Sequence, residues 1–260
     1  MEREKNSEKT GVQSIERIFS IVEILAAHPR GAALQTVAGE SGLAKSTAHR
    51  MLSSLVALGY ALQDGVTGQY RLTLKMFELS SAVVNEMDVL STARPYLDRL
   101  AARTGEAVHL VIRDGVDVVY LYKAESGGLR IGSRIGLRSP MYCTGVGKAI
   151  LSTLSAEEVE QVWKQTRRKA ATPHTITRLP DLLAQLEQTR RRGWAVDDEE
   201  NELGVRCVAL ALPGPGGKAA AAFSVTSLVP NMSEDRMRKL AETALLARQD
   251  ILRDMGVALH

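Results

Sequence analysis

LQTVAGESGLAKSTAHRMLSSLVALGYALQDGVTGQYRL, residues 34 to 72, decides the fold. An amphipathic stretch from Leu34 to Ser41 meets a break at Gly42, and a second helix starts near Lys45 and runs to Leu58. Gly59 stops it. Two short apolar runs, Tyr60 to Leu62 and Tyr70 to Leu74, flank a polar, Gly-containing turn at Asp64 to Gln69. Helix, turn, helix and a two-stranded ribbon make a winged helix-turn-helix, the unit that lays one helix in a DNA major groove.

The phasing of the second helix sharpens this expectation. Ala48, Met51, Leu52 and Leu55 recur at i, i+3, i+4 and i+7 and form one apolar stripe. At about 100° per residue, Ser46, His49, Arg50 and Ser53 fall on the opposite side. Short hydrogen-bonding side chains plus one long cation suit base edges and phosphates. Lys45 and Ser46 stand at the helix start, where backbone N–H groups also favour a phosphate, with Thr47 beside them. Arg71 on the ribbon completes the expected DNA-binding set of Lys45, Ser46, Thr47, His49, Arg50, Ser53 and Arg71. Charge is modest: 33 basic against 30 acidic residues leave a net +3. A non-specific nucleic-acid coat is far more basic, so the pattern points to a reader of particular sites on double-stranded operator DNA. Two copies would read two half-sites about one helical turn apart, or a multiple of that.

At 260 residues the chain is long enough for two cores, with 45% apolar and 24% charged residues. No apolar run approaches the roughly 20 residues that span a bilayer, and no signal-type segment opens the chain. No membrane is expected as a partner, and a cytoplasmic location is. Two cysteines, Cys143 and Cys207, are too few for a disulfide framework.

Residues 1 to 10 read as a disordered polar lead, 11 to 72 as the winged unit, 73 to 90 as a linker helix and 91 to 260 as a larger domain. Helix one spans about Val12 to Ala27, with Ile15, Ile18, Phe19, Val22 and Leu25 spaced to face a core, and Pro29 and Gly31 end it. In the linker helix Leu74, Phe77 and Leu79 form an apolar side suited to a second subunit. Beyond it, a helix around Ser91 to Thr104 precedes strands at Ala107 to Arg113 and Val116 to Lys123, joined at Asp114-Gly115. Ser155 and Glu158 form a capping box for a helix over 156 to 166, and Pro180 and Gly193 bracket another. Strands follow at Val205 to Leu212 and Ala219 to Ser227, and Ser233 caps a last helix reaching about Met255. This order describes an α+β domain built on an antiparallel sheet.

TGVGKAIL (144 to 151) and GWAVDDEENELGVRCVAL (193 to 210), taken with VQSIERIF (12 to 19), GLAKSTAHRML (42 to 52) and YRLTLKMFELS (70 to 80), resemble the IclR-type bacterial regulators. The likeness runs from Val12 through essentially the whole chain. It implies an N-terminal winged helix, a linker helix and a C-terminal GAF-like effector domain. It further implies homodimers, often paired into dimers of dimers (homotetramers), that repress or activate catabolic operons in answer to small carboxylates, sugar acids or aromatic acids. Matched motif to motif, the effector site takes Gly145 and Val146 from the turn before the GKA helix, Asp197 from the DDEE run, Cys207 from the RC pair, and Ser224 and Thr226 from the closing strand. Their chemistry suits a small organic acid: turn N–H groups bind carboxylate oxygens, and two hydroxyls at i and i+2 share one strand face. Asp197 would accept from ligand hydroxyls.

Other readings are weaker. A DNA-binding redox or metal sensor would use Cys143 and Cys207, with His109 or His174, or the acidic run Asp197, Asp198, Glu199, Glu200 and Glu202. No CxxC or paired-histidine spacing supports the first, and consecutive carboxylates on a strand end point in alternate directions. The acids read better as a solvated turn or as partners for the basic stretch 164 to 192. Gly145 to Lys148 fails as a phosphate loop, because Tyr142 stands at the first glycine position and Ala149 replaces the hydroxyl residue. The five histidines are scattered and form no catalytic set, so neither an enzyme nor a cofactor is expected.

Overall fold

The computed structural model describes residues 2–85, 88–125, 132–214 and 216–257. The chain divides into two compact units, Met1–Val84 and Asn85–His260.

The first unit holds α1 (Glu2–Ala27), α2 (Leu34–Ser41), α3 (Lys45–Ala57), β1 (Ala61–Gln63), β2 (Tyr70–Leu72) and α4 (Lys75–Asn85). α1 begins ten residues before the expected Val12, in place of a disordered lead. The Glu, Lys and Arg residues that make the lead polar are also strong helix formers. Gly42, at φ 65°, closes α2 and sets the sharp entry into α3. Ala48, Met51, Leu52 and Leu55 are buried, and the last three pack in one core with Ile21 and Leu25 of α1, Val37 of α2 and Tyr70 of β2. Ile15 and Phe19 were expected in this core, yet both are exposed. The apolar arc of α1 is wider than the unit can cover, and contact centres on Ile21 and Leu25, with Ile18, Val22 and Ile24 at its margins. The wing pairs antiparallel, Ala61 with Leu72 and Gln63 with Tyr70, and Ala32 bridges Tyr70 from outside it. Asp64 Oδ1 shapes its turn by accepting the N–H groups of Val66 and Thr67 at 3.0 and 2.7 Å.

The second unit opens with α5 (Asp88–Thr104). The helix expected over 73 to 90 is met by α4 and the first turn of α5, with residues 86 and 87 outside the described residues. An antiparallel six-stranded sheet follows, in the order β5-β4-β3-β8-β7-β6. Its strands are β3 (Ala107–Asp114), β4 (Asp117–Ala124), β5 (Arg138–Pro140), β6 (Ala195–Asp198), β7 (Val205–Pro213) and β8 (Ala219–Leu228). The helices are α6 (Gly145–Leu151), α7 (Ala156–Gln165), α8 (Leu179–Arg192) and α9 (Glu234–Asp254). The strand pattern explains the layering. Val108, Leu110, Val208, Leu210, Phe223 and Val225 point to one face and pack under α5 and α9. Their alternates Val111, Ala209, Ala211 and Ala222 meet α6, α7 and α8 on the other. Ser155 and Glu158 form the expected capping box of α7. No helix among the described residues is long and apolar enough to cross a membrane.

The small residues of the second face let α6 lie close to the sheet. A Cβ added at Gly147 would come within 2.3 Å of the Met141 backbone, whereas one added at Gly39 of α2 meets nothing within 4 Å. Gly147→Ala is therefore expected to destabilise the larger unit by about 2 kcal/mol or more. Gly39→Ala is expected to stabilise the smaller unit by up to about 1 kcal/mol. Urea unfolding of both variants checks the contrast.

Candidate functional site

On the first unit, α3 carries the candidate nucleic-acid face. Lys45, Ser46, His49, Arg50 and Ser53 are exposed, Thr47 is half-buried and Arg71 is exposed on β2. Ala44 caps the helix without a side-chain bond and its carbonyl accepts Thr47 N at 2.9 Å, which leaves the Lys45 and Ser46 N–H groups without a partner among the described residues. The buried stripe fixes the roll of the helix, and the polar residues fall outward as a consequence.

On the second unit, register does the assembling. Asp197 of β6 lies opposite Cys207 of β7, Cys207 opposite Thr226 of β8, and Ser224 of β8 opposite His109 of β3. These side chains share the face turned towards α6 and line one cavity of about 130 Å³ with Gly145, Val146, Thr144, Tyr120, Ser133 and Asn201. All six effector residues expected from sequence meet there. The α6 end approaches closely: a Cβ at Gly145 would come within 2.6 Å of Cys207 Sγ. The N–H groups of Gly145 and Val146 have no internal partner among the described residues, since Thr144 caps the helix at Gly147 N, 3.2 Å away.

Hydrogen bonding divides the cavity in two. On the β8 side, His109 Nδ1 lies 3.4 Å from Ser224 Oγ and 3.3 Å from Thr226 Oγ1, while Nε2 lies 2.7 Å from Ser133 Oγ. Burial, reinforced by the nearby Lys123 cation, lowers the His109 pKa to about 4, so the ring is neutral at pH 7. On the β6 side, Asp197 is 7% exposed and its Oδ1 accepts the N–H groups of Glu200 and Asn201 at 2.8 and 3.4 Å. Behind it Lys148 of α6, 1% exposed, is ion-paired with Glu200. Burial first, and the Glu200 charge second, raise the Asp197 pKa to about 7 against the opposing pull of Lys148.

Family models match both units: the IclR helix-turn-helix domain over residues 14–65, and the bacterial transcriptional regulator IclR C-terminal domain over residues 81–253. The chain belongs to the IclR family. It is 33% identical to the HTH-type transcriptional regulator KdgR of Dickeya chrysanthemi over 94% of this chain and 80% of that one. It is likewise 33% identical to the HTH-type transcriptional repressor AllR of Salmonella typhimurium, covering 95% of this chain and 91% of the relative. Among solved structures, Thermotoga maritima IclR superposes with a TM-score of 0.82 at 28% identity, covering 94% and 99% of the two chains. This IclR-family chain is thus a DNA-binding transcriptional regulator and not an enzyme.

The sensor reading loses its footing in this family member. Both cysteines are buried and free. Burial pushes the Cys143 thiol up to about 12 and raises Cys207 as well, so neither offers a reactive thiolate. No cluster of three metal-ligating side chains exists among the described residues. The acidic run is solvated only in part: Asp198 and Glu202 are exposed, while Asp197 and Glu200 are buried. Glu200 is buried against Lys148, Asp198 pairs with Arg206 at 2.6 Å, and Arg190 and Arg191 of the basic stretch pair with Glu187 on their own helix. The effector set expected from sequence leaves out His109, Tyr120, Lys148 and Glu200: His109 and Glu200 are weighed only as sensor ligands, Lys148 only in a phosphate loop, and Tyr120 not at all.

Asp197 and His109 affect stability in opposite directions. The raised Asp197 pKa makes the native state the stronger proton binder, so its contribution fades as pH rises through about 7. The lowered His109 pKa removes stability as pH falls below about 6.5. Asp197→Asn retains His109, so only the first effect separates it from wild type. Between pH 5 and pH 8 the variant should gain about 2 kcal/mol on wild type, measured by urea unfolding at both pH values.

Proposed function

We propose that α3 reads operator DNA through Lys45, Ser46, Thr47, His49, Arg50 and Ser53, with Arg71 of the wing on the backbone, and that the cavity of the second unit holds a small organic acid controlling this binding. The observation that carries the DNA half is the outward set of α3 above a fully buried stripe. The cavity half rests on six residues from four separate chain segments that converge on one space. Free N–H groups at Gly145 and Val146 match carboxylate oxygens, the Ser224 and Thr226 hydroxyls add donors, and Asp197 suits a ligand hydroxyl. Sugar acids, keto acids and hydroxylated aromatic acids all carry this combination.

The working species is a homodimer, which two such dimers extend to a tetramer on DNA. Ile15 and Phe19 on α1, and Leu74, Phe77 and Leu79 near and on α4, are large apolar side chains left exposed in one chain. A second copy gives them cover. α4 then acts as the linker through which the effector domain biases the spacing of two α3 helices. Ligand changes DNA affinity only by as much as it prefers one arrangement over the other. Depending on where the operator lies, the outcome is repression or activation.

Arg50→Ala should weaken binding to the chain's own upstream DNA at least fivefold in a gel shift while leaving the thermal melt unchanged. Equal affinity would remove Arg50 from the interface. Pyruvate, D-gluconate and 4-hydroxybenzoate, screened by thermal shift, should include one stabilising ligand whose effect is lost in Ser224→Ala. Stabilisation that survives Ser224→Ala unchanged would place the ligand elsewhere.

A further inference from the structure

We propose that the cavity accepts a carboxylate only together with one proton, seated on Asp197, and that this single proton seat selects acids with one carboxyl group over acids with two. The inference rests on the effector reading above, adds the charge state in which that effector binds, and turns Asp197 from the acceptor of a ligand hydroxyl into a donor to the ligand carboxylate.

The argument begins with the cavity's charges. Asp197 and Glu202 line it, and no Lys or Arg does among the described residues. Lys148 lies behind the wall, but Glu200 already holds it in a buried ion pair. An incoming carboxylate therefore meets a carboxyl group with no free cation to offset the pair. Two carboxylates in so small a space do not both stay ionised. Asp197 is placed to resolve the conflict. Its Oδ1 is fixed by the Glu200 and Asn201 N–H groups, and Oδ2 makes no hydrogen bond among the described residues. Protonated on Oδ2, Asp197 donates to the ligand carboxylate, and the repulsion becomes a hydrogen bond.

The groups around Asp197 locate the proton. Lys148 from α6 favours the ionised form, while Glu200 from the following loop opposes it. Cys207 of β7, Cys143 of the 3-10 turn (Met141–Cys143) before α6, and Tyr120 of β4 have raised pKa values and are neutral. His109 of β3 is neutral too. On the opposite face of β6, Arg192 of α8 stacks on Trp194, and Arg206 is taken by Asp198. Glu202 is exposed, so water solvates its charge. Asp197 is thus the one acid on the wall that is both buried and poised to change state near neutrality. A second ligand carboxylate finds no second seat, because His109 is held neutral and no Lys or Arg lines the cavity among the described residues.

Isothermal titration of the full-length protein with pyruvate, D-gluconate and 4-hydroxybenzoate, from pH 6 to 9 in buffers of different ionisation enthalpy, tests this. The expected result is uptake of one proton per acid bound at pH 8, with Kd weakening about tenfold per pH unit above 7. Asp197→Asn keeps the Oδ1 acceptor and mimics the protonated group. It should bind the same acid with no proton uptake and a flat Kd, and more tightly than wild type at pH 8. Glu202→Gln should keep the uptake. Terephthalate, which replaces the hydroxyl of 4-hydroxybenzoate by a second carboxylate, should bind more weakly than any acid that gives a signal. A wild-type Kd independent of pH, or proton uptake that persists in Asp197→Asn, overturns the proposal while leaving the effector reading intact. Absence of heat with all three acids throughout the range defeats the effector reading itself, and the two failures are thereby distinct.

Discussion

The second unit depends on how closely α6 can approach its sheet. Gly145 makes the approach possible against Cys207 and Ala209 of β7, and Gly147 lets the preceding 3-10 turn fold back on the helix at Met141. The buried Lys148–Glu200 pair then ties the helix to the loop after β6. A buried ion pair is weak evidence for net stability, because desolvating two charges costs about as much as their attraction returns. Removing either partner alone is costly, however, so the pair holds α6 and the loop in one relative position. That position puts Asp197 at the cavity wall, since Glu200 N and Asn201 N both donate to it. A stabilising contact and a site-defining contact are here the same few atoms.

The sheet supplies the other half of the constraint. The central strands β7 and β8 send their large apolar side chains to the α5–α9 face and small or polar ones to the α6 face. Ala209, Ala211 and Ala222 leave room for a helix, and where the helix begins the row changes to His109, Ser224, Thr226 and Cys207. Buried polar groups are tolerated only when bonded, and the imidazole meets this demand by contacting three hydroxyls. The hydroxyls therefore both satisfy the core and face the cavity. Such groups can turn towards a ligand without first being dragged out of water.

Much of this was legible from residues alone, and the reason is periodicity. Ala48, Met51, Leu52 and Leu55 leave α3 only one roll, and strand alternation oriented Ser224 and Thr226 together. Period fails where the apolar arc exceeds the contact. In α1 the spacing of Ile15 and Phe19 is as good as that of Ile21 and Leu25, yet only the latter are covered within the chain. It fails also for partnerships distant along the chain. Lys148 and Glu200 are 52 residues apart, and each looks like an ordinary surface charge until the fold closes around both.

The same limits bear on how a signal could leave the cavity. A small acid contacts a rigid row of strands on one side and the start of α6 with the Asp197 loop on the other. Strands paired on both edges, as β3, β8 and β7 are, resist displacement because every ladder bond must move with them. β6 is an edge strand of four residues, and its loop is held by hydrogen bonds from Thr172 and Thr175 to Glu200 O. Ligand-dependent change is therefore expected on the β6–α6 side, where a few polar contacts rather than a sheet define the geometry. That side also carries the buried charges, so the energy available for switching is electrostatic as well as steric. A ligand that alters the charge on Asp197 changes the balance around Lys148 and Glu200 in the same event, and a regulator needs no larger motion than that to favour one state over another.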